Sequence, residues 1–475
     1  MSSSLADALR ERYPEDVHSA RYTPLQRNFH PHVRLPERLR ELPGHVVFRA
    51  KTTEHVAHAL RLANQLKQPL QVRQGSGQIS LDLLTPFPPG SVVLDLRHLD
   101  HIEPDLDNGY VDVGPAVTLM GLNDRLRPDG YQFPLAVEPV TWGALLSVNL
   151  SGHLVDAEAG KPGDYALGLE VVLPTGEIIH TGTRAMRKVV GPDLTRVFIG
   201  GQGLYGVITS ARLRLVSAPE GRAWGFAAFD DLFALADTAR AIHRPGLPYP
   251  VTLEMLDPAF VAASGIDRRL GVSGPLLLVA TQGDRQEEAD HKLASILAYG
   301  RDRHGARTQA LATEAEWDAL WRIRAMPHEH FEGEYLIGEV MDVPLTRLED
   351  AVEAIQALRT EVLAQFPGMT GYIIGHIGSG TFHPAYSCPA DWDYDRRVTV
   401  IRFIRERAHA LKISFGATIG EQGIFPEHAR WFAAHFGETT MRTLDAMRAA
   451  FDPNGILNPR RTEPLDAGAG RAQHA

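Results

Sequence analysis

Cysteine is almost missing from this 475-residue sequence, which contains only Cys388. One thiol cannot close a disulfide within the chain, and it cannot supply a zinc site that needs several cysteines. Basic residues are also too few to outweigh the acidic ones, because 48 Lys and Arg face 58 Asp and Glu, a formal net charge of −10. A nucleic-acid partner would require a basic face. The sequence therefore predicts no such partner, and it leaves open a local basic pocket for a small anion.

Long hydrophobic runs are absent as well, since no apolar stretch approaches the roughly 20 residues that span a bilayer. Residues 1–8 lack the basic start and apolar stretch of a secretory signal. We therefore expect a cytoplasmic protein without a transmembrane segment. The hydrophobic content of 44% and the charged content of 22% are ordinary for a soluble globular chain. The length suffices for two or three domains.

Glycine and other small residues, in contrast, are concentrated in three segments, at residues 73–80, 141–152 and 200–209. Each segment lies close to an apolar run that is typical of a β-strand. A backbone that turns sharply on glycines can present consecutive N–H groups to a pyrophosphate, and small residues let it approach a flat ligand closely. Taken singly, segment 141–152 is equally well explained as a helix packed through small residues beside an ordinary hairpin, and the loop at residues 75–77 is better explained as a simple turn between strands.

The pattern changes near residue 218, where strand-like runs begin to alternate with amphipathic helices. The order strand, helix, strand, strand, helix, strand predicts an α+β layer of the ferredoxin-like kind. A further amphipathic helix is predicted over residues 350–365, and the polar residues 1–42 predict a helical lead-in.

Two histidines stand out in residues 375–383, which read Gly-His-Ile-Gly-Ser-Gly-Thr-Phe-His. His376 and His383 would face opposite sides of one continuous strand, but the glycines between them allow a turn that brings the two rings together. Two histidines and a carboxylate such as Glu421, in the later stretch Gly-Glu-Gln-Gly at 420–423, would suit a divalent cation with open positions for a substrate. The chain has 21 histidines, so two unrelated ones are the alternative.

In order and spacing, the three glycine-rich segments resemble the flavin-binding domain of the vanillyl-alcohol oxidase/p-cresol methylhydroxylase superfamily. The branch that the chain resembles most is the FAD-linked 2-hydroxyacid dehydrogenases, such as those of D-lactate, glycolate and D-2-hydroxyglutarate, and the likeness runs from about Pro43 to Arg460. It implies an α+β fold with a p-cresol-methylhydroxylase-type (PCMH-type) FAD-binding domain at 43–217, a ferredoxin-like substrate (cap) domain at 218–409 and a segment at 410–461 that returns to the FAD domain. A lead-in at 1–42 and a disordered tail at 462–475 complete the prediction.

The resemblance also implies which residues hold FAD. No histidine lies in residues 73–80, so we expect the flavin to be bound without a covalent link. Gln78 stands where the family has threonine, which removes one hydroxyl contact to phosphate. The predicted cofactor-binding residues are Arg73, Gly75, Ser76, Gly77, Gln78, Pro134, Thr141, Gly143, Ser147, Asn149, Gly152, Gly203, Gly206, Val207 and Asn458.

His376, His383 and Glu421 match the positions of the family's metal ligands, which implies a bound divalent metal such as Zn, Mn or Fe. The surrounding motif differs from the family pattern, because Ser379 replaces aspartate and Thr381 replaces asparagine. Gln422 replaces the histidine that is the family's usual base for the substrate hydroxyl. A glutamine amide can orient a hydroxyl but cannot titrate, so metal-bound hydroxide or a neighbouring histidine would have to accept the proton.

By the same resemblance Arg324 is the arginine that grips the substrate carboxylate, because its fork matches a carboxylate bidentately. The alternative is a surface arginine paired with a nearby acid. The lysine that follows in the family is not evident. His328 and His330 are candidate pocket residues, and the alternative places them on the surface. The predicted catalytic residues are Arg324, His376 and Gln422.

These features predict an FAD-dependent oxidoreductase that oxidises a small hydroxylated substrate, best a 2-hydroxy acid, with the help of a metal. One alternative is a flavin oxidase or dehydrogenase of another alcohol or aromatic substrate with a vestigial metal site; Phe425, which replaces a family glycine, favours an apolar face. A second is a non-catalytic flavin-binding protein. The electron acceptor, the stereochemistry and the oligomeric state stay open.

Overall fold

The computed structural model describes residues 4–20, 45–73, 92–134, 140–150, 152–185, 191–325, 327–330, 333–417 and 429–459. Within these residues the chain forms three β-sheets with helices packed on them, which confirms the predicted α+β fold class. Among the described helices none is both long and apolar enough to cross a membrane.

The first sheet has four strands in the order β1-β2-β4-β3, with β2, β4 and β3 parallel and β1 antiparallel to β2. One of its helices begins after Thr52, whose side chain accepts the His55 N–H, and buries a helical stripe that includes Val56 and Leu60. Residues 1–42 were predicted to be a helical lead-in; the described part, residues 4–20, forms one short helix and then the edge strand. The elements are α1 (Leu5–Arg12), β1 (Val17–Ala20), β2 (His45–Arg49), α2 (Thr53–Leu66), β3 (Leu70–Arg73) and β4 (Val92–Asp95).

The second sheet is antiparallel throughout, in the order β5-β6-β9-β7-β8. Short helices that connect its strands pack on it around the buried ring of Trp142. The elements are β5 (Ile102–Asp105), β6 (Tyr110–Val113), α3 (Leu119–Leu126), α4 (Trp142–Val148), α5 (Asp156–Ala159), α6 (Pro162–Tyr165), β7 (Ala166–Val172), β8 (Ile178–His180), α7 (Thr195–Phe198) and β9 (Val207–Arg214).

The third sheet has eight strands, in the order β13-β10-β12-β11-β16-β17-β14, with β15 also paired to β17. Its elements are β10 (Gly221–Ala228), α8 (Leu232–Ala241), β11 (Thr252–Leu256), α9 (Pro258–Ser264), α10 (Ile266–Leu270), β12 (Leu276–Gly283), α11 (Gln286–His304), β13 (Arg307–Ala310), α12 (Glu314–Ala325), β14 (Glu334–Gly338), β15 (Met341–Asp342), α13 (Leu348–Gln365), β16 (Thr370–Gly375) and β17 (Thr381–Cys388).

The third sheet consists of two units of the same kind joined edge to edge. The first unit, β10-α8-β11-β12-α11-β13, has its strands in the spatial order fourth, first, third, second, as the ferredoxin-like prediction required. The second unit, β14-α13-β16-β17, repeats the first four elements. The units meet where β11 pairs with β16, with Met255 opposite Gly375. This join places the last two residues of β16 beside the last two residues of β11.

Alternation along β11 assigns its side chains to two faces of the third sheet. Leu253 and Met255 belong to the core under α8, α11 and α13, whereas Leu256 belongs to the core under α9, α10 and α12. Glu254 therefore projects on the same side as Leu256, towards α12. Ile374 and His383, which are opposite each other on β16 and β17, follow the same side.

The last part of the chain leaves the third sheet and returns to the first. The helix α14 (Tyr394–Phe415) runs without a break across the predicted domain boundary at 409/410, so that boundary does not coincide with a break in structure. It is followed by α15 (Ala429–Phe436) and α16 (Glu438–Phe451). Leu457 then forms a parallel bridge with Leu70 of β3, as the fold prediction required.

Candidate active site

The glycine-rich segments at 141–152 and 200–209 are tied together by main-chain hydrogen bonds. Thr141 caps α4 through its side chain, and Asn149 ends that helix in the left-handed region at φ 56°. The carbonyl oxygens of Leu146 and Ser147, at the open end of the helix, accept the N–H groups of Gly200 and Gln202 at 2.9 Å each. Unsatisfied helix carbonyls need such partners, so the two predicted flavin segments form one surface.

Asn458 connects the surface formed by these two segments to the first sheet. Its side-chain oxygen accepts the Val72 N–H at 2.9 Å, and its amide donates to the Gly203 carbonyl at 2.7 Å. The side chain is 3% exposed and the residue has φ 45°. Sequence analysis predicted that Asn458 binds FAD. In the structure its side chain forms hydrogen bonds to two backbone segments and joins them.

Most of the other predicted cofactor residues are described by the structure, and four of them are not. Asn149 uses its side-chain oxygen to accept the Gly163 N–H at 2.9 Å, and Gly143 donates its N–H to Pro115. Val207 begins β9 with its side chain in the core. Gly75, Ser76, Gly77 and Gln78 lie outside the described residues, while Arg73, Pro134, Thr141, Ser147, Gly152, Gly203 and Gly206 lie within them.

The described part of this region suits a flat cofactor held by the backbone. Gly203 has φ 68°, and a Cβ there would stand 2.8 Å from the Asn458 amide. A Cβ on Gly206 would meet a Val171 methyl group at 2.6 Å. Both positions require glycine, because a side chain at either one would collide with a neighbouring protein atom. Tightly packed glycine backbone of this kind is compatible with the FAD that the sequence predicts.

The substrate side is built where the two units of the third sheet meet. After β16 ends at Gly375, residues Ile377–Ser379 form a single 3-10 turn, and Gly380 at φ 82° begins the return along β17. This turn brings the rings of His376 and His383 to a centroid separation of 4.7 Å, at 78° to each other. The structure thus places together the two histidines that sequence analysis singled out.

Glu254, which sequence analysis missed, lies at the centre of this group. Its Oε1 is 2.5 Å from Nδ1 of His376, and its Oε2 accepts a hydrogen bond from Nε of Arg324 at 2.7 Å. Its side chain is 0% exposed. A single carboxylate between the apolar residues Leu253 and Met255 of β11 was the available signal, because a buried charge requires specific partners.

Arg324 reaches Glu254 from the last turn of α12 and is itself 3% exposed. Its Nη2 is buried and has no hydrogen-bond partner among the described residues. Sequence analysis predicted an arginine that binds a substrate carboxylate bidentately, with a surface arginine paired to a nearby acid as the alternative. In the structure Nε binds Glu254, and Nη2 is buried without an acceptor among the described residues.

His153 is a third histidine in the group and comes from the flavin side of the molecule. Its ring lies 4.7 Å from that of His376 and 4.7 Å from the Trp321 ring, both nearly perpendicular. Its Nδ1 is 3.6 Å from Oε1 of Glu254 and has no hydrogen-bond partner among the described residues. Sequence analysis ended the flavin segment at Gly152, one residue before it.

Burial and the neighbouring charges determine the ionisation of the group. Burial would raise the pKa of Glu254, but the charges of Arg324 and His376 outweigh it and hold that pKa well below its usual range. Burial lowers the pKa of His153 to about 4. Burial, with the nearby His376 and Arg324, also holds the pKa of His383 well below its usual value. The carboxylate is therefore ionised at neutral pH, and His153 and His383 are uncharged.

The turn that carries His376 is anchored on both sides. The Ser379 hydroxyl accepts the Asp156 N–H at 3.1 Å and donates to the Leu154 carbonyl at 3.3 Å. His243, at the end of α8, contacts the Gly378 carbonyl at 2.7 Å through Nε2. Ser379, which departs from the family pattern, thus fastens the turn to the chain segment that follows His153.

The remaining predicted site residues are not assembled within the described structure. His330 packs against Phe260, with ring centroids 6.0 Å apart, and no described contact joins it to His376. The side chain of His328 is not described. Glu421, Gln422 and Phe425 lie outside the described residues, so their predicted roles stay predictions.

Two sets of donors could hold a metal ion. The ligand atoms of His153, Glu254 and His376 lie within 4.8 Å of one another. Both oxygens of Glu254, however, already contact donors, and one of those donors is a guanidinium. The pair His376 and His383 supplies nitrogen donors that suit Zn, Mn or Fe. It fits the predicted triad, whose third member is Glu421.

Two family models match the chain. The model described as "FAD binding domain" matches residues 44–182, and that described as "FAD linked oxidases, C-terminal domain" matches residues 218–462. Glycolate oxidase subunit GlcD of Bacillus subtilis (strain 168) is 29% identical over 434 residues, which cover 89% of this chain and 89% of that protein. The mitochondrial D-lactate dehydrogenase (cytochrome) of Arabidopsis thaliana is 28% identical over 455 residues, covering 92% and 75%.

Solved structures agree on the fold. p-Cresol methylhydroxylase with substrate bound superposes with a TM-score of 0.73 at 16% identity, covering 97% of both chains. The 4-ethylphenol oxidase of Gulosibacter chungangensis superposes with a TM-score of 0.70 at 18% identity, covering 89% of this chain and 90% of that one. Together with the family models, which span both halves of the molecule, these matches show that the chain belongs to the FAD-linked oxidase family and is an FAD-dependent oxidoreductase.

Proposed function

We propose that the enzyme oxidises the hydroxyl-bearing carbon of a small 2-hydroxy acid, assisted by a divalent cation on His376, His383 and Glu421. The observation that carries the proposal is the pair of histidine rings at 4.7 Å beside Arg324, whose Nη2 is buried without an acceptor among the described residues. Relatives named for glycolate and D-lactate support the same substrate class.

Each part of a 2-hydroxy acid has a counterpart in this arrangement. Arg324 would bind the carboxylate through the side of its fork that Glu254 does not use, and the histidine pair would hold the cation that the hydroxyl and carboxylate share. A bound cation would lower the hydroxyl pKa, and FAD would supply the hydride acceptor. Gln422 would orient the substrate but could not take up its proton.

Anaerobic mixing with a panel of donors tests the substrate class. We expect the flavin absorbance of the purified, FAD-loaded protein to bleach with one or more 2-hydroxy acids, and not with the matching alcohols that lack the carboxylate. Bleaching by alcohols or phenols alone would replace the proposal with an enzyme for another alcohol or aromatic donor, which Trp321 beside His153 would favour. A flavin that no donor reduces would indicate a non-catalytic protein.

Metal analysis of His376→Ala tests the cation. We expect this variant to retain FAD, to lose bound metal and to be reduced by the hydroxy acid at least about 100-fold more slowly. His330→Ala is the matched control. The His330 ring packs on Phe260, so this substitution should leave the metal content unchanged. Equal metal content in His376→Ala and the wild type would defeat the assignment.

A further inference from the structure

One carboxylate, that of Glu254, contacts two residues of the proposed site at once. Its Oε2 accepts from Arg324 at 2.7 Å and its Oε1 lies 2.5 Å from His376. We propose that Glu254 is a positioning residue that holds the carboxylate-binding arginine and the first metal ligand in one fixed arrangement. The inference rests on the proposed function and extends it to a residue outside the predicted site.

On the arginine side, the contact with Glu254 fixes the plane of the guanidinium. The group is flat, so a bond at Nε determines where both terminal nitrogens lie. Arg324 is 3% exposed, and its Nη2 has no acceptor among the described residues. A buried donor without a partner is costly, and a substrate carboxylate would supply the acceptor. Glu254 thus occupies Nε, and Nη2 is the nitrogen left for a substrate carboxylate.

On the histidine side, the contact with Glu254 selects the nitrogen that can bind a cation. When Nδ1 carries the proton and donates it to the carboxylate, Nε2 is the nitrogen that acts as ligand, and the imidazole becomes a stronger donor. The His153 and His383 rings on either side of His376 restrict its rotation further.

The same contacts argue against Glu254 as a metal ligand. A cation bound to its Oε2 would lie next to the Arg324 guanidinium, which carries a like charge. Its Oε1 is 2.5 Å from Nδ1 of His376, a hydrogen-bonding separation rather than that of two ligands around one ion. Glu254 therefore lies beside His153 and His376 because it orients the His376 ring, and not because the three residues bind one ion.

This arrangement has a consequence for the substrate. A 2-hydroxy acid carries its carboxylate and hydroxyl on adjacent carbons, so the arginine and the cation must lie a fixed distance apart. A shared carboxylate sets that distance through two short contacts, and misplacement by about 1 Å can cost 100-fold in rate. Glu254 thus favours substrates in which the two groups are adjacent.

The test is Glu254→Gln, which keeps the volume but offers one acceptor oxygen to two donors. On folded, FAD-loaded protein we expect about 10-fold to 100-fold weaker binding of Zn²⁺ in chelator competition. We also expect oxalate, a dicarboxylate that this enzyme cannot oxidise, to bind at least about 10-fold more weakly. The change in flavin absorbance on titration with oxalate measures this affinity. Asp257→Asn is the matched control, because Asp257 is a buried carboxylate that pairs with Arg359, and no described contact joins it to Arg324, His376 or His383.

A double variant separates positioning from general damage. If Glu254 acts through Arg324, adding Glu254→Gln to Arg324→Lys should weaken oxalate binding little further, whereas general damage would be additive. The inference is overturned if Glu254→Gln binds zinc and oxalate as the wild type does. It is also overturned if that variant loses zinc as completely as His376→Ala, which would make Glu254 a ligand.

The outcomes for the two proposals are distinct. If hydroxy acids reduce the wild type while Glu254→Gln binds zinc and oxalate normally, only the positioning role is overturned. If hydroxy acids do not reduce the wild type but its zinc affinity still depends on Glu254, only the proposed reaction is overturned. A wild type that binds neither zinc nor oxalate overturns both.

Discussion

At the scale of single residues, the site depends on two opposite charges that are almost completely withdrawn from water. Arg324 is 3% and Glu254 0% exposed, and they are 2.7 Å apart. Each charge alone would be expensive to bury, and each is tolerated because the other is present. The pair therefore contributes little net stability, but the loss of one partner leaves an uncompensated charge.

Replacing the arginine should accordingly destabilise the protein more than replacing both partners. We expect Arg324→Met to lower the free energy of unfolding by about 3–5 kcal/mol, because Glu254 stays buried without its cation. Arg324→Met with Glu254→Gln should recover most of that loss without recovering turnover. Urea unfolding at pH 7 measures both values.

A more exposed pair provides the comparison for this prediction. Arg212 and Asp112 are 2.7 Å apart, but their side chains are 20% and 26% exposed. Solvent screens this pair, so Arg212→Met should cost about 1 kcal/mol or less. Equal losses for the two arginines would contradict the view that burial sets the cost.

At the scale of elements, the turn between β16 and β17 fixes the histidines against the flavin side. Gly378 in this turn lies so close to its neighbours that a Cβ would meet a Val155 methyl group at 2.6 Å and Leu253 Cβ at 3.0 Å. Ser379 adds two hydrogen bonds to the Leu154–Asp156 backbone. The turn therefore controls the distance between the two histidines proposed as metal ligands and the predicted flavin segments.

Gly378→Ala should separate the two halves of the site while leaving each intact. We expect FAD content close to that of the wild type, a stability loss of about 1–3 kcal/mol from overpacking, and a 10-fold to 100-fold slower flavin reduction. FAD absorbance, urea unfolding and stopped-flow reduction measure these three quantities. Gly121→Ala, on the exposed side of α3, is the control and should lower none of them, since its nearest neighbour is the Thr118 hydroxyl at 3.1 Å. Normal reduction in Gly378→Ala would show that the contact with Val155 is not needed.

At the scale of the whole molecule, residues 456–458 near the C-terminus pair with β3 at the edge of the first sheet. Leu70 receives a hydrogen bond from the Asn458 N–H at 3.0 Å and donates to the Ile456 carbonyl at 2.8 Å. The Asn458 side chain then links Val72, which directly precedes the first predicted flavin segment, to Gly203 in the third segment. The C-terminal segment thus holds the flavin region together across nearly the entire chain.

Asn458→Ala should therefore weaken FAD binding, even if Asn458 does not contact the cofactor directly. The change leaves the Val72 N–H and the Gly203 carbonyl without their partners, at about 1–3 kcal/mol each, and it puts alanine at a positive φ. We expect the FAD dissociation constant, measured by flavin fluorescence, to rise about 10-fold or more. Asn454→Ala is the control, because its side chain contacts the exposed Asn64 and should leave FAD binding unchanged. A wild-type FAD affinity in Asn458→Ala would show that this link does not shape the cofactor site.

Local pattern determined much of this protein. The strand and helix order after residue 218 was enough to predict the ferredoxin-like unit, because alternation and periodicity depend only on near neighbours. The glycines between His376 and His383 were enough to predict a turn, because few other residues permit it. The order of the glycine-rich segments was enough to indicate the flavin-binding fold.

Only the tertiary structure revealed the partners of those residues. Glu254 and His376 are separated by 122 positions, and Glu254 and Arg324 by 70, so no local pattern links them. The pairing of β11 with β16 joins two similar units and sets the carboxylate beside the histidines. The chain order fixes which strands exist, whereas long-range packing decides which edges meet. The sequence therefore shows which charged residues are present, but only the fold determines that Glu254 pairs with Arg324 and His376.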